Sequence, residues 1–243
     1  MNKLNVIYNE DCLKGLKKIE DKSIDLVIID PPYDIAVGHG KNRKNKLSSS
    51  IDSVEQELIS NDLVNGFDIL ILDELVRVMK NINIYIWCNG RQIPMYLKYF
   101  VENLKCKYDI LIWGKTNAMP LYNNKYMSDK EYCLYFRKNS FCNPTNYEDA
   151  KTIYMSTLNQ KDKKKYNHPT IKPLPFIRKL IRNSSKEGDV ILDSFIGSGT
   201  TAVASILEKR NYIGFEKNKN YYEICINRIN EILDSKEGVE NNE

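Results

Sequence analysis

The feature that most constrains the fold is a regular alternation of short apolar runs with segments of helical periodicity. The runs are rich in Ile, Val and Tyr and occupy residues 4–8, 24–29, 82–88, 108–113, 131–136, 189–193 and 211–215. Helical spacing of apolar residues follows at 62–80, 92–103, 174–184, 200–209 and 218–233. Strands that alternate with helices predict a doubly wound α/β sheet, with ligands bound beyond the carboxyl ends of its strands.

The chain is predicted to form a single domain over residues 1–233, because 243 residues with 42% hydrophobic content suffice for one substantial core. Two polar, lysine-containing stretches, 34–61 and 137–167, interrupt the alternation as insertions. The acidic end at 234–243 is expected to be flexible. Because the sequence has neither an apolar run of about 20 residues nor a secretion signal, we expect a cytoplasmic protein.

Cysteine and histidine usage bears on metal binding. The six cysteines are scattered without a Cys-x-x-Cys pair, and there are only two histidines. A zinc site needs several such ligands at close spacing. We therefore expect no metal centre and free thiols.

A glycine-rich turn follows the predicted strand that ends at Asp193. The strand leads into Ser194-Phe195-Ile196-Gly197-Ser198-Gly199-Thr200-Thr201-Ala202, at the start of a predicted helix. Glycines in such a turn let the backbone approach a ligand closely, as in the Gly-x-Gly-x-x-Gly/Ala fingerprint of dinucleotide sites. The candidate cofactor-binding residues in this segment are Asp193, Phe195, Gly197, Gly199 and Thr200.

Glu216 ends the next predicted strand, where a carboxylate can accept hydrogen bonds from both hydroxyls of a ribose. Together with the glycine turn it predicts an adenosine-containing cofactor. The pattern leaves NAD and S-adenosylmethionine as alternatives, and the glycines alone would also fit a tight structural turn.

The most informative segment is Asp30-Pro31-Pro32-Tyr33, which follows the predicted strand 24–29. The prolines fix backbone torsions and remove two N–H donors, so that carbonyl oxygens are presented rigidly. The amino group of adenine or cytosine is a weak nucleophile because its lone pair is delocalised into the ring. If the Asp30 carboxylate and a carbonyl near Pro31 accept its two hydrogens, the lone pair can attack a sulfonium methyl group. Tyr33 could stack on a base that has left the double helix.

In composition and order, these motifs resemble the beta class of DNA amino-methyltransferases, which carries the Asp-Pro-Pro-Tyr motif near the amino end and the glycine motif near the carboxyl end. Further segments that resemble the family are Asn9-Glu10-Asp11-Cys12-Leu13, Ile112-Trp113-Gly114-Lys115, Glu131-Tyr132 and His168-Pro169-Thr170-Ile171-Lys172-Pro173. The resemblance implies a Rossmann-like, S-adenosylmethionine-dependent methyltransferase fold with permuted motif order. It also implies a mixed, mostly parallel sheet of seven strands, one of them antiparallel.

The resemblance further implies roles for individual residues. Asp11 and Cys12 would border the adenine of S-adenosylmethionine, and Thr170 and Lys172 would lie near its methionine end. The segments that contain Lys115 and Glu131 would lie beside the target base. The family's catalytic motif corresponds to Asp30, Pro31, Pro32 and Tyr33. Within the fold, we assign the chain from Asp189 onward to the cofactor half and residues 5–136 to the catalytic half.

DNA is the partner that the resemblance implies, with residues 137–167 as a short target-recognition region and 34–61 as a segment that could share this task. The formal net charge of +4 is small, so any DNA-binding surface must be local. The candidate phosphate contacts are Lys41, Arg43, Lys44 and Lys46 in the first polar stretch, and Lys163, Lys164 and Lys165 in the second. The same lysines fit solvated loop charge equally well. A homodimer and a cognate restriction endonuclease are further partners that stay open.

The sequence thus predicts a site-specific DNA methyltransferase of the restriction–modification type, acting on the N6 amine of a flipped adenine. N4-cytosine methylation uses the same chemistry, but in the family it more often accompanies Ser than Asp in the first motif position. Methylation of RNA or of a protein glutamine is an alternative of a different substrate class. The family's glutamine enzymes carry Asn at the first motif position, so Asp30 weighs against it. C5-cytosine methylation needs a Pro-Cys nucleophile, which the chain lacks. A catalytically inactive nucleic-acid-binding subunit is the remaining alternative, against which the intact motifs argue.

Overall fold

The computed structural model describes residues 2–33, 68–120, 124, 126–158, 160–166 and 171–240. Eight strands in this part of the chain form one sheet. In chain order, β1 to β8 are Val6–Tyr8, Leu26–Ile29, Ile82–Cys88, Lys107–Lys115, Lys130–Lys138, Ile153–Ser156, Val190–Asp193 and Asn211–Phe215. Their order in the sheet is β1-β8-β7-β2-β3-β5-β4-β6. Every neighbouring pair is parallel except the two pairs that β5 makes, with β3 and with β4. The predicted mixed, mostly parallel sheet is therefore confirmed.

The predicted number of seven strands is wrong, because the described residues contain an eighth, β6. It pairs in parallel with β4 at the edge of the sheet. Ile153 and Met155 in this strand are 56% and 59% exposed, so the segment has no continuous buried run that would mark it as a strand. The stretch 137–167 thus contributes to the sheet and is not only an insertion.

The predicted helices are largely confirmed. The observed helices are Cys12–Leu16, Leu70–Val78, Ile93–Leu97, Tyr147–Ala150, Gln160–Tyr166, Leu174–Ser184, Thr200–Leu207 and Lys219–Glu240, with a π-helical segment at Lys98–Asn103. The last helix continues beyond residue 233 to Glu240, and the flexibility of 234–243 stays a prediction. The polar stretch 34–61 lies outside the described residues.

Helices cover both faces of the sheet because its central strands are apolar on both sides. In β2, Val27 and Ile29 pack into a core that includes Leu72 and Leu75 of the Leu70–Val78 helix. Leu26 and Ile28 point to the other face, into a core with residues of the Leu174–Ser184 helix. The result is a three-layer α/β/α domain.

The assignment of residues 5–136 to one half of the sheet is partly wrong. β1 pairs in parallel with β8 and so lies on the same side as β7. Asn9, just after β1, donates to the backbone carbonyl of Glu216 (2.8 Å). The beginning of the chain therefore belongs to the cofactor half, next to the predicted ribose acceptor.

Candidate active site

A cavity of about 660 Å³ opens at the carboxyl edge of the sheet. Its walls come mainly from residues that follow β1, β2, β7 and β8. The predicted site residues that line it are Asp11, Cys12, Asp30, Pro32, Lys172, Asp193, Phe195, Gly197, Thr200 and Glu216. Most predicted cofactor residues and part of the catalytic motif are thus brought to one cavity, although they range in sequence from Asp11 to Glu216.

The glycine loop is held by the two acidic residues that end β7 and follow β8. Asp193 accepts hydrogen bonds from the backbone N–H of Phe195 (3.0 Å) and the hydroxyl of Thr201 (2.6 Å). Glu216 accepts from the backbone N–H groups of Gly197 (3.0 Å) and Asn218 (2.8 Å). Burial raises the pKa of Asp193 from 3.8 to about 7 and also raises the pKa of Glu216. Both carboxylates therefore shape the loop as well as facing the cavity.

Gly199 is not among the residues that line the cavity, and its contact with a cofactor stays a prediction. It caps the Thr200–Leu207 helix with φ +82°, and a Cβ atom there would lie 2.6 Å from Sγ of Cys225. The glycine is needed because the loop turns through the left-handed region while packed on the last helix.

Arg228 of the last helix fixes the loop from behind and was not anticipated from the sequence. The side chain is 4% exposed and donates to the Ser198 carbonyl (3.0 Å) and the Thr200 hydroxyl (3.0 Å). Its guanidinium group also lies 4.9 Å from the ring of Tyr166. An arginine in an amphipathic helix carries no sequence signal of such a role.

Asp11 and Cys12 lie at the other side of this half of the cavity. Asp11 caps the Cys12–Leu16 helix by accepting from the backbone N–H groups of Leu13 (3.1 Å) and Lys14 (3.2 Å). Burial raises the pKa of the Cys12 thiol to about 12, so the thiol is neutral and part of an apolar wall.

The catalytic motif leaves β2 at the far end of the cavity. Asp30 and Pro32 line the cavity, whereas Pro31 and Tyr33 do not. The carbonyl of Pro32 accepts a hydrogen bond from the side chain of Gln92 (3.3 Å). Gln92 thus helps to hold the proline turn, a role that nothing in the sequence indicated.

Lys172 lies beside Asp30, and its predicted place near the cofactor's methionine end stays a prediction. Its Nζ is 2.6 Å from Oδ2 of Asp30 and 3.0 Å from Oε2 of Glu131. The other oxygen of Glu131 is 2.5 Å from Nζ of Lys115. Tyr33 completes the cluster, with its hydroxyl 3.3 Å from both Lys172 and Glu131. Lys172 lines the cavity as well, so it contacts both the catalytic motif and the cofactor region.

The charges of this cluster are coupled. Burial raises the pKa of Glu131, but Lys172 and Lys115 outweigh burial and lower it to about 2. Burial lowers the pKa of Lys172, but Asp30 and Glu131 outweigh burial and raise it. Burial raises the pKa of Asp30, and Lys172 opposes this rise. The ionisation of Asp30 therefore depends on its contact with Lys172.

The predicted DNA-binding residues that the structure describes, Lys163, Lys164 and Lys165, do not line this cavity. Lys165 is 2.6 Å from the carboxylate of Glu231, so part of its charge is compensated within the protein. Lys163 and Lys164 lie on the same short helix, and their contact with phosphates stays a prediction. Lys41, Arg43, Lys44, Lys46 and the predicted cofactor residue Thr170 lie outside the described residues.

Two buried polar atoms of the cavity wall have no hydrogen-bond partner within the described part of the chain. They are Nε1 of Trp87, which is 1% exposed, and Oγ of Ser194, which is 2% exposed. Buried polar groups are normally satisfied, so these atoms are suited to a bound molecule or an ordered water. Trp87 lies near the end of β3, beside β2, so its place at the edge could have been predicted from its strand.

A profile of the DNA methylase family that includes N6 and N4 enzymes matches residues 24–227. The chain belongs to this N6/N4 DNA methylase family. It is 31% identical to the type II methyltransferase M.HinfI of Haemophilus influenzae, over 98% of this chain and 71% of the relative. It is 29% identical to the type II methyltransferase M2.MboI of Moraxella bovis, over 93% of this chain and 88% of the relative.

Solved structures with the same fold include an S-adenosylmethionine complex and a cytosine-N4-specific DNA methyltransferase. The M1.HpyAVI–SAM complex superposes with a TM-score of 0.65 at 24% identity, covering 92% of this chain and 98% of that one. The cytosine-N4-specific PvuII DNA methyltransferase superposes with a TM-score of 0.66 at 15% identity, covering 96% of this chain and 93% of that one. The motif resemblance and the methyltransferase fold are thus confirmed. The family includes both amino acceptors, so membership leaves the target base undecided.

The described ranges contain neither a membrane-spanning helix nor a cluster of metal ligands. No helix there is long and apolar enough to cross a membrane. No group of three or more His, Cys, Asp or Glu side chains there could hold a metal ion.

Proposed function

We propose that this DNA methyltransferase transfers a methyl group from S-adenosylmethionine to the N6 amine of an adenine that has rotated out of the double helix. The observation that carries the proposal is the position of Asp30. Its carboxylate lies at one end of a cavity whose other end is formed by the glycine loop and Glu216. One cavity can therefore bring a nucleoside cofactor to an amine acceptor.

The residues of the cavity fit S-adenosylmethionine. Glu216 would accept hydrogen bonds from the ribose hydroxyls, and Asp11 and Cys12 would border the adenine. The unpartnered Nε1 of Trp87 and Oγ of Ser194 could bond to polar groups of the methionine part. A cavity of about 660 Å³ is in the range of ordinary cofactor sites.

Bound S-adenosylmethionine would supply an electrophilic methyl group, which the amine nitrogen attacks as the carbon–sulfur bond breaks and its electron pair stays on sulfur. Asp30 and a backbone carbonyl of the proline turn would accept the two amino hydrogens and so direct the nitrogen lone pair toward that carbon. The positively charged product nitrogen then loses one proton, and Asp30 is placed to accept it. Tyr33 would stack on the extruded base.

Asp30 supports adenine over cytosine, because cytosine-N4 enzymes of the family more often have Ser at this position. The type II relatives support a role in restriction–modification. A homodimer, a cognate endonuclease and a cytoplasmic location stay predictions.

The test is to incubate the protein with S-adenosylmethionine and DNA, digest the DNA to nucleosides, and identify the methylated base by mass spectrometry. We expect N6-methyladenine from the parent and none from Asp30→Ala, with the dissociation constant for S-adenosylmethionine changed less than about threefold. Asp109→Ala, an exposed change on β4, is the matched control and should stay active. N4-methylcytosine as the product would refute the choice of adenine, and an active Asp30→Ala would refute the mechanism.

A further inference from the structure

Four charged side chains form one compact cluster at the transfer end of the cavity. Lys172 bridges the carboxylates of Asp30 (2.6 Å) and Glu131 (3.0 Å), and Lys115 is bound to the far oxygen of Glu131 (2.5 Å). Two positive and two negative charges give a net charge of zero when all four groups are ionised. We call these residues the Asp30 cluster.

The Asp30 cluster is shielded from water, which makes its charge balance important. The exposed fractions of the side chains are 8% for Lys172, 15% for Lys115, 19% for Glu131 and 24% for Asp30. The Lys172 ammonium also lies 5.0 Å from the centre of the Trp87 ring, a favourable contact for a cation. Removing one partner of a buried ion pair leaves an uncompensated charge, which costs several times more than a surface pair is worth.

Rigid strands place Glu131 and Lys115. Lys115 ends β4 and Glu131 lies at the start of β5, where Trp113 and Glu131 are register partners. Because β5 runs against its neighbours, its first residues reach the edge where the parallel strands end. This geometry fixes the second carboxylate within reach of Lys172.

We propose that Lys172, Glu131 and Lys115 are positioning residues that act on the amine acceptor as one charge-compensating unit. Lys172 occupies Oδ2 of Asp30, which leaves Oδ1 to accept an amino hydrogen. Glu131 holds Lys172 in place and is itself held by Lys115. The unit keeps Asp30 ionised in a buried site. This inference rests on the proposed function, since it concerns how Asp30 is prepared for the amine.

Other ionisable groups also act on Asp30 and must be considered. They are Tyr33, Tyr96, Cys88, Cys133 and Asp193. Burial raises the pKa of each of the two phenols and the two thiols, to about 12 for Cys88, so these four are neutral. Asp193 titrates near pH 7 because burial raises its pKa, but it is unchanged in every variant used below.

If Lys172 acts through its charge, removing Glu131 as well should reverse the effect of removing Lys172. A purely structural role of Lys172 predicts no such reversal. With all groups ionised, the net charge is zero in the parent, −1 in Lys172→Gln, and zero again in Lys172→Gln/Glu131→Gln. Asp30 must be ionised to accept the amine, so the methylation rate is lost as the pH falls through its pKa. Loss of Lys172 should move this acid limb upward by about 1 to 3 pH units, because an adjacent opposite charge shifts a carboxyl pKa by about that much. Adding Glu131→Gln removes the negative neighbour of Asp30 and should move the acid limb of the rate profile back toward its position in the parent.

The experiment measures single-turnover methylation of DNA against pH for the parent, Lys172→Gln, Glu131→Gln and the double variant, with saturating S-adenosylmethionine. Cofactor dissociation constants and thermal unfolding midpoints are measured on the same preparations. The control is Lys80→Gln, which breaks an ion pair with Asp25 at the opposite end of β2 and should leave the limb in place. Lys115→Gln and Lys115→Gln/Glu131→Gln repeat the same charge arithmetic one step farther from Asp30, and they carry the test if Lys172→Gln does not fold.

An upward shift that Glu131→Gln reverses is the expected result. An unshifted limb in both Lys→Gln variants would overturn the inference. It would also be overturned if Glu131→Gln moved the limb further in the same direction, as simple loss of structure would. A parent that binds S-adenosylmethionine but methylates no DNA base would instead refute the proposed function, so the two failures are distinguishable.

Discussion

Glu216→Ala is expected to weaken S-adenosylmethionine binding by about 1 to 3 kcal/mol, or roughly 5- to 150-fold in dissociation constant. The proposed bonds from Glu216 to the ribose hydroxyls would be charge-assisted, and such bonds contribute about 1.5 to 3 kcal/mol. The substitution also removes the acceptor for the backbone N–H groups of Gly197 (3.0 Å) and Asn218 (2.8 Å), which loosens the loop. Water can solvate these two N–H groups in part, so the total loss of binding free energy should stay near the value of a single charge-assisted hydrogen bond.

Calorimetric titration can separate the two contributions of Glu216. We expect the parent to bind adenosine more tightly than 2′,3′-dideoxyadenosine, and Glu216→Ala to bind both with similar weak affinity. Asp189→Ala is the control, because Asp189 also accepts from a backbone N–H group, that of Lys186 (2.7 Å), but at the opposite end of the sheet. If Glu216→Ala retains the preference for adenosine, the ribose does not bind at Glu216, whatever the change in overall affinity.

Three further predictions concern the loop and the basic helix. Burial raises the pKa of Asp193 from 3.8 to about 7, so the free energy of unfolding of the parent should fall as the pH rises through this interval. In urea unfolding, the free energy of unfolding of Asp193→Asn relative to the parent should therefore increase by at most about 4 kcal/mol between about pH 4 and pH 8. A constant difference would show that Asp193 titrates normally. Gly199→Ala should cost about 1 to 3 kcal/mol more than Gly188→Ala, because both have positive φ but only Gly199 faces Cys225 at 2.6 Å; equal costs in urea unfolding would contradict that packing. Lys163→Gln/Lys164→Gln should reduce the slope of log DNA affinity against log salt by about 0.9 for each phosphate that these two lysines neutralise, and an unchanged slope would remove this helix from the DNA interface.

The sequence predicted the site best where a functional residue directly follows a buried strand. β2 is a run of four fully buried residues, and Asp30 comes immediately after it. β7 likewise ends at Asp193, and the two strands are parallel neighbours. Because parallel strands of one sheet end at the same edge, the two predicted strands were enough to place both residues at that edge.

Contacts between distant segments could not be predicted in the same way. The periodicity of β1 marks a strand but does not specify that it pairs with β8. Lys172 comes from a segment without regular structure, and its contact with Asp30 spans 142 positions. β6 was missed because an edge strand with exposed Ile153 and Met155 has no apolar signature. Partner choice depends on packing of the whole domain, which local pattern does not encode.

The β4–β5 pairing has a consequence for how far the connection between these two strands can vary. The backbone N–H of Lys115 donates to the carbonyl of Asp129 (2.7 Å), so the hairpin is closed just before the connection between the strands begins. Both ends of that connection are therefore fixed by the backbone hydrogen bonds between β4 and β5. Its length and composition can vary while Lys115 and Glu131 keep their positions, because loops tolerate insertion where flanking strands are paired. Exchange of this connection between related enzymes is thus expected to leave the positions of Lys115 and Glu131 unchanged.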